Sequence, residues 1–262
     1  VKKNSQPIGG KIMTMPKIQK PLTTLISCAV LLNSLIVGLP AVNAVEFSVP
    51  ATPPPGRRVG GAVRGQSASP PACLTNNQKQ LAALVPKVDV VLTAKKYPTL
   101  FWYLPPNSAQ MILFNLIDDS SGEIIYESTM KTTGEGGIVS LILPENSGLP
   151  ALEIGKDYYW SFTMICDHLD VQANPFVEGL IRRVEPSANL VQKLNQSSAL
   201  ERVNLYANAG FWYDTIAELA SLRRANPDDS QLAQEWEELL RSVQLDDLAL
   251  EPLNPDIISE FN

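Results

Sequence analysis

The stretch Leu152-Glu-Ile-Gly-Lys-Asp-Tyr-Tyr-Trp-Ser-Phe-Thr-Met-Ile-Cys166 constrains the fold more than any other part of the chain. It opens with Leu-x-x-Gly-x-x-Tyr and then alternates. Tyr158, Trp160, Phe162, Met164 and Cys166 fall on one side, and Tyr159, Ser161, Thr163 and Ile165 on the other. Successive side chains of a strand face opposite ways, so this is a strand with one buried face and one mixed face. A buried Tyr after a Gly corner, with Trp two residues on, is what sandwiches of the immunoglobulin or fibronectin type III kind place at a strand start.

Further strands fall at sandwich spacing around it. Apolar or β-branched runs cover 88–93, 99–104, 110–117, 123–130, 138–143 and 176–184. Proline bounds several of them, and Asp118-Asp-Ser-Ser-Gly122 supplies a hairpin turn. That turn lacks the Asp-x-Asp-x-Asp-Gly order of a calcium loop. With 158–166, the count predicts a seven-stranded antiparallel immunoglobulin/fibronectin-III-like sandwich over 76–186, with 81–86 as a short helical or turn element. The polar stretch 187–198 reads as a linker, and helical spacing follows over 199–250. Leu200, Val203 and Tyr206 precede Gly210, and Trp212, Ile216 and Leu219 run to Asn226-Pro227. Leu232, Trp236, Leu239, Leu240 and Val243 then line a third helix capped by Asp228 or Asp229. Tyr206, Gly210, Trp212, Leu219 and Pro227 sit at tetratricopeptide offsets, although Thr215 replaces the small packing residue. One such unit makes no solenoid, so the expectation is a tetratricopeptide-like helical hairpin plus a third, capping helix. Residues 251–262 read as a loose tail.

The first 44 residues read as an address. Lys17 and Lys20 precede an apolar run over 22–39, and Pro40-Ala-Val-Asn-Ala44 follows. This is the pattern of a secretory signal cleaved after Ala44, with translation starting at Val1, Met13 or Met15. Two rivals remain: lipidation at Cys28 after Leu25-Ile-Ser, and retention of the run as a membrane anchor. Cleavage removes five lysines and no acid, leaving 16 basic against 27 acidic residues, a net charge of −11. Thirteen acids and four arginines lie from Ala199 onward, net −9. A chain this acidic is a poor partner for nucleic acid or an anionic membrane. The expected location is the periplasm or cell envelope, with no membrane contact after cleavage.

Residues 45–75 form a Pro/Gly-rich linker. Arg57, Arg58 and Arg64 among its glycines make a basic patch; the Lys-Ser/Thr that a phosphate loop requires is Ala62-Val63. Cleavage leaves Cys73 and Cys166, most simply one disulfide of an exported chain, the alternative being two unpaired buried thiols.

Chemistry is sparse. Cys166-Asp167-His168 is the one triplet that suggests a nucleophile, yet on a regular strand Cys166 and His168 stand about 7 Å apart. An oxidised Cys166 is no nucleophile. The single His, and the lack of Cys-x-x-Cys, His-Glu-x-x-His and Gly-x-Ser-x-Gly, point to neither a zinc centre nor a serine hydrolase. No catalytic residue, metal ligand or cofactor is assigned. The aromatic groups Phe101-Trp102-Tyr103 and Phe211-Trp212-Tyr213 carry two readings. Either they pack the sandwich against the helices, or Trp102, Tyr103, Phe211, Trp212 and Tyr213 form an exposed binding surface.

Several longer phrases carry a resemblance: Gly60-Gly61 with Arg64-Gly65, Leu81 to Pro86, Pro98-Thr-Leu-Phe-Trp-Tyr-Leu-Pro105, Gly137-Ile-Val-Ser-Leu-Ile-Leu-Pro144, the 152–167 stretch, Val177-Glu-Gly179 and Gly210-Phe-Trp-Tyr-Asp214. Across 57–245 the chain resembles the cyanobacterial Domain of Unknown Function 928 family. The resemblance implies no assigned activity and no catalytic residues; His168 stands where the family usually has Pro. The function expected is an exported non-catalytic envelope protein. The sandwich is its scaffold and the acidic helices its surface for an unknown envelope partner. The alternative is a periplasmic hydrolase or carbohydrate-binding protein using clustered carboxylates and aromatics.

Overall fold

The computed structural model describes residues 44–49, 73–74, 79–145 and 148–256. Apart from its last residue, Ala44, the expected export signal, with Cys28 within it, lies outside the described residues, as does the expected basic patch of Arg57, Arg58 and Arg64. The chain is mainly β, with two sheets followed by four helices. Strands β1 (Ala82–Ala83), β3 (Thr99–Leu104) and β6 (Gly137–Ile142) form one sheet in the order β1-β3-β6. Strands β2 (Val91–Thr93), β4 (Met111–Asp118), β5 (Ile124–Met130), β7 (Asp157–Ile165) and β8 (Phe176–Arg183) form the other, in the order β2-β8-β7-β4-β5. The helices are α1 (Ala188–Gln196), α2 (Ala199–Asn208), α3 (Trp212–Ala225) and α4 (Ser230–Ser242).

The alternation read from 152–166 is realised in β7, where Tyr158, Trp160, Phe162 and Met164 are all buried. Trp102 of β3 packs onto this face from the opposite sheet. Its ring stacks on Phe162 with centroids 4.1 Å apart and meets Phe114 and Trp160 edge-on at 5.6 and 5.8 Å. Offset and edge-to-face contacts of this kind add to the burial of large rings, so Trp102 holds the two sheets together. Tyr158 is buried near the start of β7, after Gly155 at φ +78°, and its hydroxyl accepts a hydrogen bond from the Glu153 N–H, 2.9 Å away. Gly179 in β8 lies opposite Trp160, and a Cβ there would come within 2.5 Å of the indole ring. The glycine of the Val177-Glu-Gly phrase is therefore a seat for the tryptophan.

The strand count and direction differ from the expectation. Eight strands are present among the described residues, and β2 runs parallel to β8, with Val91 opposite Ile181. Residues 81–86 are not helical; two of them form β1 on the edge beside β3. Two alanines carry too little pattern to distinguish strand from turn. The linker read at 187–198 contains α1. Ser187 caps it by accepting from the Leu190 N–H at 3.2 Å, and Ser198 opens α2 with a reciprocal capping box to Glu201. The Asn, Gln and Lys content of α1 looks like a loop, although Leu, Gln and Lys are good helix formers.

The two ends read as loose are pinned in part. Val45 and Phe47, at the start of the expected linker, are buried, and the Phe47 ring meets Trp212 edge-on at 5.0 Å. In the expected loose tail, the Ile138 N–H donates to Pro252 O and the Asn254 N–H to Ile138 O, at 2.7 and 2.8 Å. Leu253 thus pairs in parallel with β6. Gly137, at φ +140°, permits this approach, since a Cβ would lie 2.8 Å from Pro252 O. Arg224 of α3 fixes the segment further through two bonds to Asn254 O and one to Asp256 Oδ1. These contacts come from residues far apart in the chain, so local composition carries no sign of them.

Candidate functional site

The helices join the sheets through one motif. Gly210, at φ +78°, turns the chain from α2 into α3, and Phe211-Trp212-Tyr213-Asp214 follows at the helix start. The Trp212 Nε1–H donates to Leu84 O at 2.7 Å, and the Trp160 Nε1–H donates to the Tyr213 hydroxyl at 3.1 Å. Burial pushes the Tyr213 hydroxyl well above the ordinary phenol range. Asp214 Oδ2 accepts from the Ala94 N–H at 2.9 Å in the turn after β2. Burial raises its carboxyl to about 6, against the lowering effects of that N–H and of Lys95. Of the two readings of the aromatic groups, these rings take the packed one and do not form an exposed binding surface. Trp102, Tyr103, Phe211, Trp212 and Tyr213 are at most 5 % exposed. The reason is that β3 is covered on both faces, by the opposite sheet and by α3, so its alternation gives no exposed side.

Cys73 and Cys166 are joined, with Cα atoms 5.1 Å apart, within the range a disulfide spans. The bridge is not the only attachment of this segment, because Cys73 O accepts from the Ser108 N–H and Leu74 pairs with Asn107. Bonded in this way, Cys166 is not available as a nucleophile, and His168 faces Gln110. The loop after β7 is held by Asn174, which the sequence does not single out. Its buried Oδ1 accepts from the Cys166 and Asp167 N–H groups at 2.8 and 3.0 Å, and its Nδ2 donates to Asp167 O.

Two concavities among the described residues bear on function. One, of about 350 Å³, lies between the 131–135 loop and the 254–256 segment, over Leu104 and Val139. Two carboxylates line it, Glu135 and Asp256, but Asp256 is engaged by Arg224 at 2.6 Å and by the Ser140 hydroxyl. The raised carboxyl of Asp214 is not among its walls. No group of three or more His, Cys, Asp or Glu placed to hold a metal ion occurs among the described residues. The other concavity, about 360 Å³, is an open groove between α1 and α2, lined by Lys193, Ser197, Glu201, Asn204, Leu205 and Asn208. Beside it, α1 buries no side chain. Leu190 and Leu194 are half-buried and Val191 is 39 % exposed, so a helix with an apolar side has that side only partly covered. No helix among the described residues is long and apolar enough to cross a membrane.

The architecture defines a two-sheet β protein stapled by a disulfide, with a helical segment locked on by buried aromatic hydrogen bonds and one helix left largely uncovered. The chain belongs to the Domain of Unknown Function (DUF928) family, whose model matches residues 59–253. No curated protein matches it.

Proposed function

We propose that the chain is an exported, non-catalytic envelope protein whose sheets act as a scaffold and whose first helix is the docking surface for a partner protein. The observation that carries this reading is α1, a nine-residue amphipathic helix with no buried side chain. A helix held at the surface with Leu190, Val191 and Leu194 on one side, away from the polar residues that line the α1–α2 groove, suits a partner's amphipathic helix laid against that apolar side. The net charge of −9 from Ala199 onward favours a partner with basic flanks. Support for export comes from the Lys17-to-Ala44 pattern and the Cys73–Cys166 bridge, which suits an oxidising compartment.

The finer fold reading has support in the strand order. β1-β3-β6 corresponds to A-B-E of an immunoglobulin-like sandwich and β5-β4-β7-β8 to C′-C-F-G. The Tyr158 hydroxyl then sits as the tyrosine corner of strand F, and the parallel β2 is a first strand that has switched sheets. The α2–α3 hairpin with α4 behind it suits a single tetratricopeptide-like unit capped by a helix. The test is Val191→Asp, chosen because that side chain lies outside the core. In gentle detergent extracts of the envelope, the wild-type chain is expected to elute with its partner. The variant is expected to elute alone, with an unchanged unfolding midpoint. A variant that keeps the complex, or a wild-type chain that elutes free, contradicts the reading.

A further inference from the structure

The segment just after the expected cleavage site is built into the helical core. Ala44 is exposed, while Val45 is 1 % and Phe47 6 % exposed. The backbone nitrogen of Val45 lies 2.8 Å from Oε2 of Glu235, a carboxylate on α4 that is itself only 4 % exposed. The Phe47 N–H donates to the Ser242 hydroxyl on the same helix, and the Ser48 N–H to Ala207 O at the end of α2. Among the described residues no lysine or arginine pairs with Glu235. A buried carboxylate without a cationic partner is costly, and a single neutral amide N–H is a weak counterpart for it.

Cutting the Ala44–Val45 peptide bond changes that counterpart. Hydrolysis consumes one water, leaves a carboxylate on Ala44 and frees the Val45 nitrogen as an α-amine. With an ordinary pKa near 7.7–8.0, that amine is largely protonated at neutral pH. The same nitrogen then carries a full positive charge and three N–H donors at hydrogen-bond distance from Glu235.

We propose that removal of the leader at Ala44–Val45 creates an α-ammonium group that forms a buried ion pair with Glu235 and locks the mature N-terminus between α2, α3 and α4. This rests on the export reading for the cut itself, while the pairing rests on geometry alone. Leader cleavage acts on the unfolded, translocating chain. The new end is therefore inserted during folding, and the exported form is more stable than the form that keeps its leader. Glu235 thereby ties the stability of the helical segment to completed processing.

The experiment compares oxidised chains that start at Val45 and at Asn43, each with Glu235 and with Glu235→Gln. The Val45 chain should have a folding constant higher than that of the Asn43 chain by roughly tenfold, the order expected of one charge-assisted hydrogen bond. In the Glu235→Gln pair the difference should vanish. In the folded wild-type Val45 chain, the α-amine should acetylate far more slowly than after denaturation, a readout that requires no variant to fold. Equal stability of the two wild-type chains, or an α-amine that acetylates as fast folded as unfolded, overturns the ion pair and leaves export standing. An envelope-derived chain whose intact mass places its start elsewhere overturns the proposal through the cleavage site, whatever the purified chains do.

Discussion

Replacing Trp212 tests whether sheets and helices form one cooperative body. The indole is fully buried; it meets Phe47 edge-on at 5.0 Å, and its N–H is bonded to Leu84 O. Trp212→Phe keeps most of the ring and removes the donor, leaving a buried carbonyl unpaired. That change should cost roughly 1–3 kcal/mol. Trp212→Ala also empties the space, and loss of a buried Trp side chain costs about 3–5 kcal/mol. The assay is urea unfolding followed in parallel by the helical and aromatic circular-dichroism signals. Both signals should move together to lower urea, further for Ala than for Phe, because Trp212 touches the β1 region, the N-terminal segment and its own helix. A helical signal that falls first, with the aromatic transition unmoved, refutes the shared core. A Phe variant within about 0.5 kcal/mol of wild type refutes the importance of the Leu84 bond.

Three further outcomes follow from the packing and the charges. Reducing the Cys73–Cys166 bridge, which spans a sequence separation of 93, should lower stability by roughly 2–4 kcal/mol; equal midpoints for oxidised and reduced chains count against it. Asp214 has a folded pKa of about 6, above the unfolded value near 3.9, so it contributes most favourably when protonated. Its contribution declines as pH rises between those two values and stays low above them. Asp214→Asn should remove that slope and be no less stable than wild type at pH near 7.5, as urea midpoints across the range will show. Gly179→Ala should cost at least about 1–3 kcal/mol because the methyl group meets Trp160, and an unchanged melting temperature would show that the indole moves aside freely.

The parts legible in the sequence are those in which one face is buried and the other is not. The 152–166 alternation became β7, and the Leu232-Trp236-Leu239 spacing became α4, because in each a single partner surface selects one period of side chains. The same logic fails for β3, where five consecutive residues are buried and no alternation remains to be read. It fails for α1 for the opposite reason, since no face is fully buried and composition alone suggests a linker. The cysteine pair was legible by count, whereas Asn174, which holds the loop behind Cys166, resembles any other loop asparagine until its three hydrogen bonds are seen. Glu235 and Arg224 were hidden in the same way. A carboxylate on a helix reads as solvated, and only the distant Val45 reveals that it is buried; Arg224 gains its role from the 254–256 segment. Long-range pairing leaves no local pattern, so the functional candidates that depend on it are found only in three dimensions.

The proposed docking face on α1 is open to a direct test. A photo-crosslinking residue placed at Val191 in the native host, with a control at Leu169, a site 97 % exposed in the loop after β7, tests it in place. The expected result is one discrete adduct from Val191, none from Leu169, and loss of the adduct when Leu194→Asp is added to the crosslinking chain. Equal adducts from both positions, or none from Val191 in chain that is folded and exported, would contradict it.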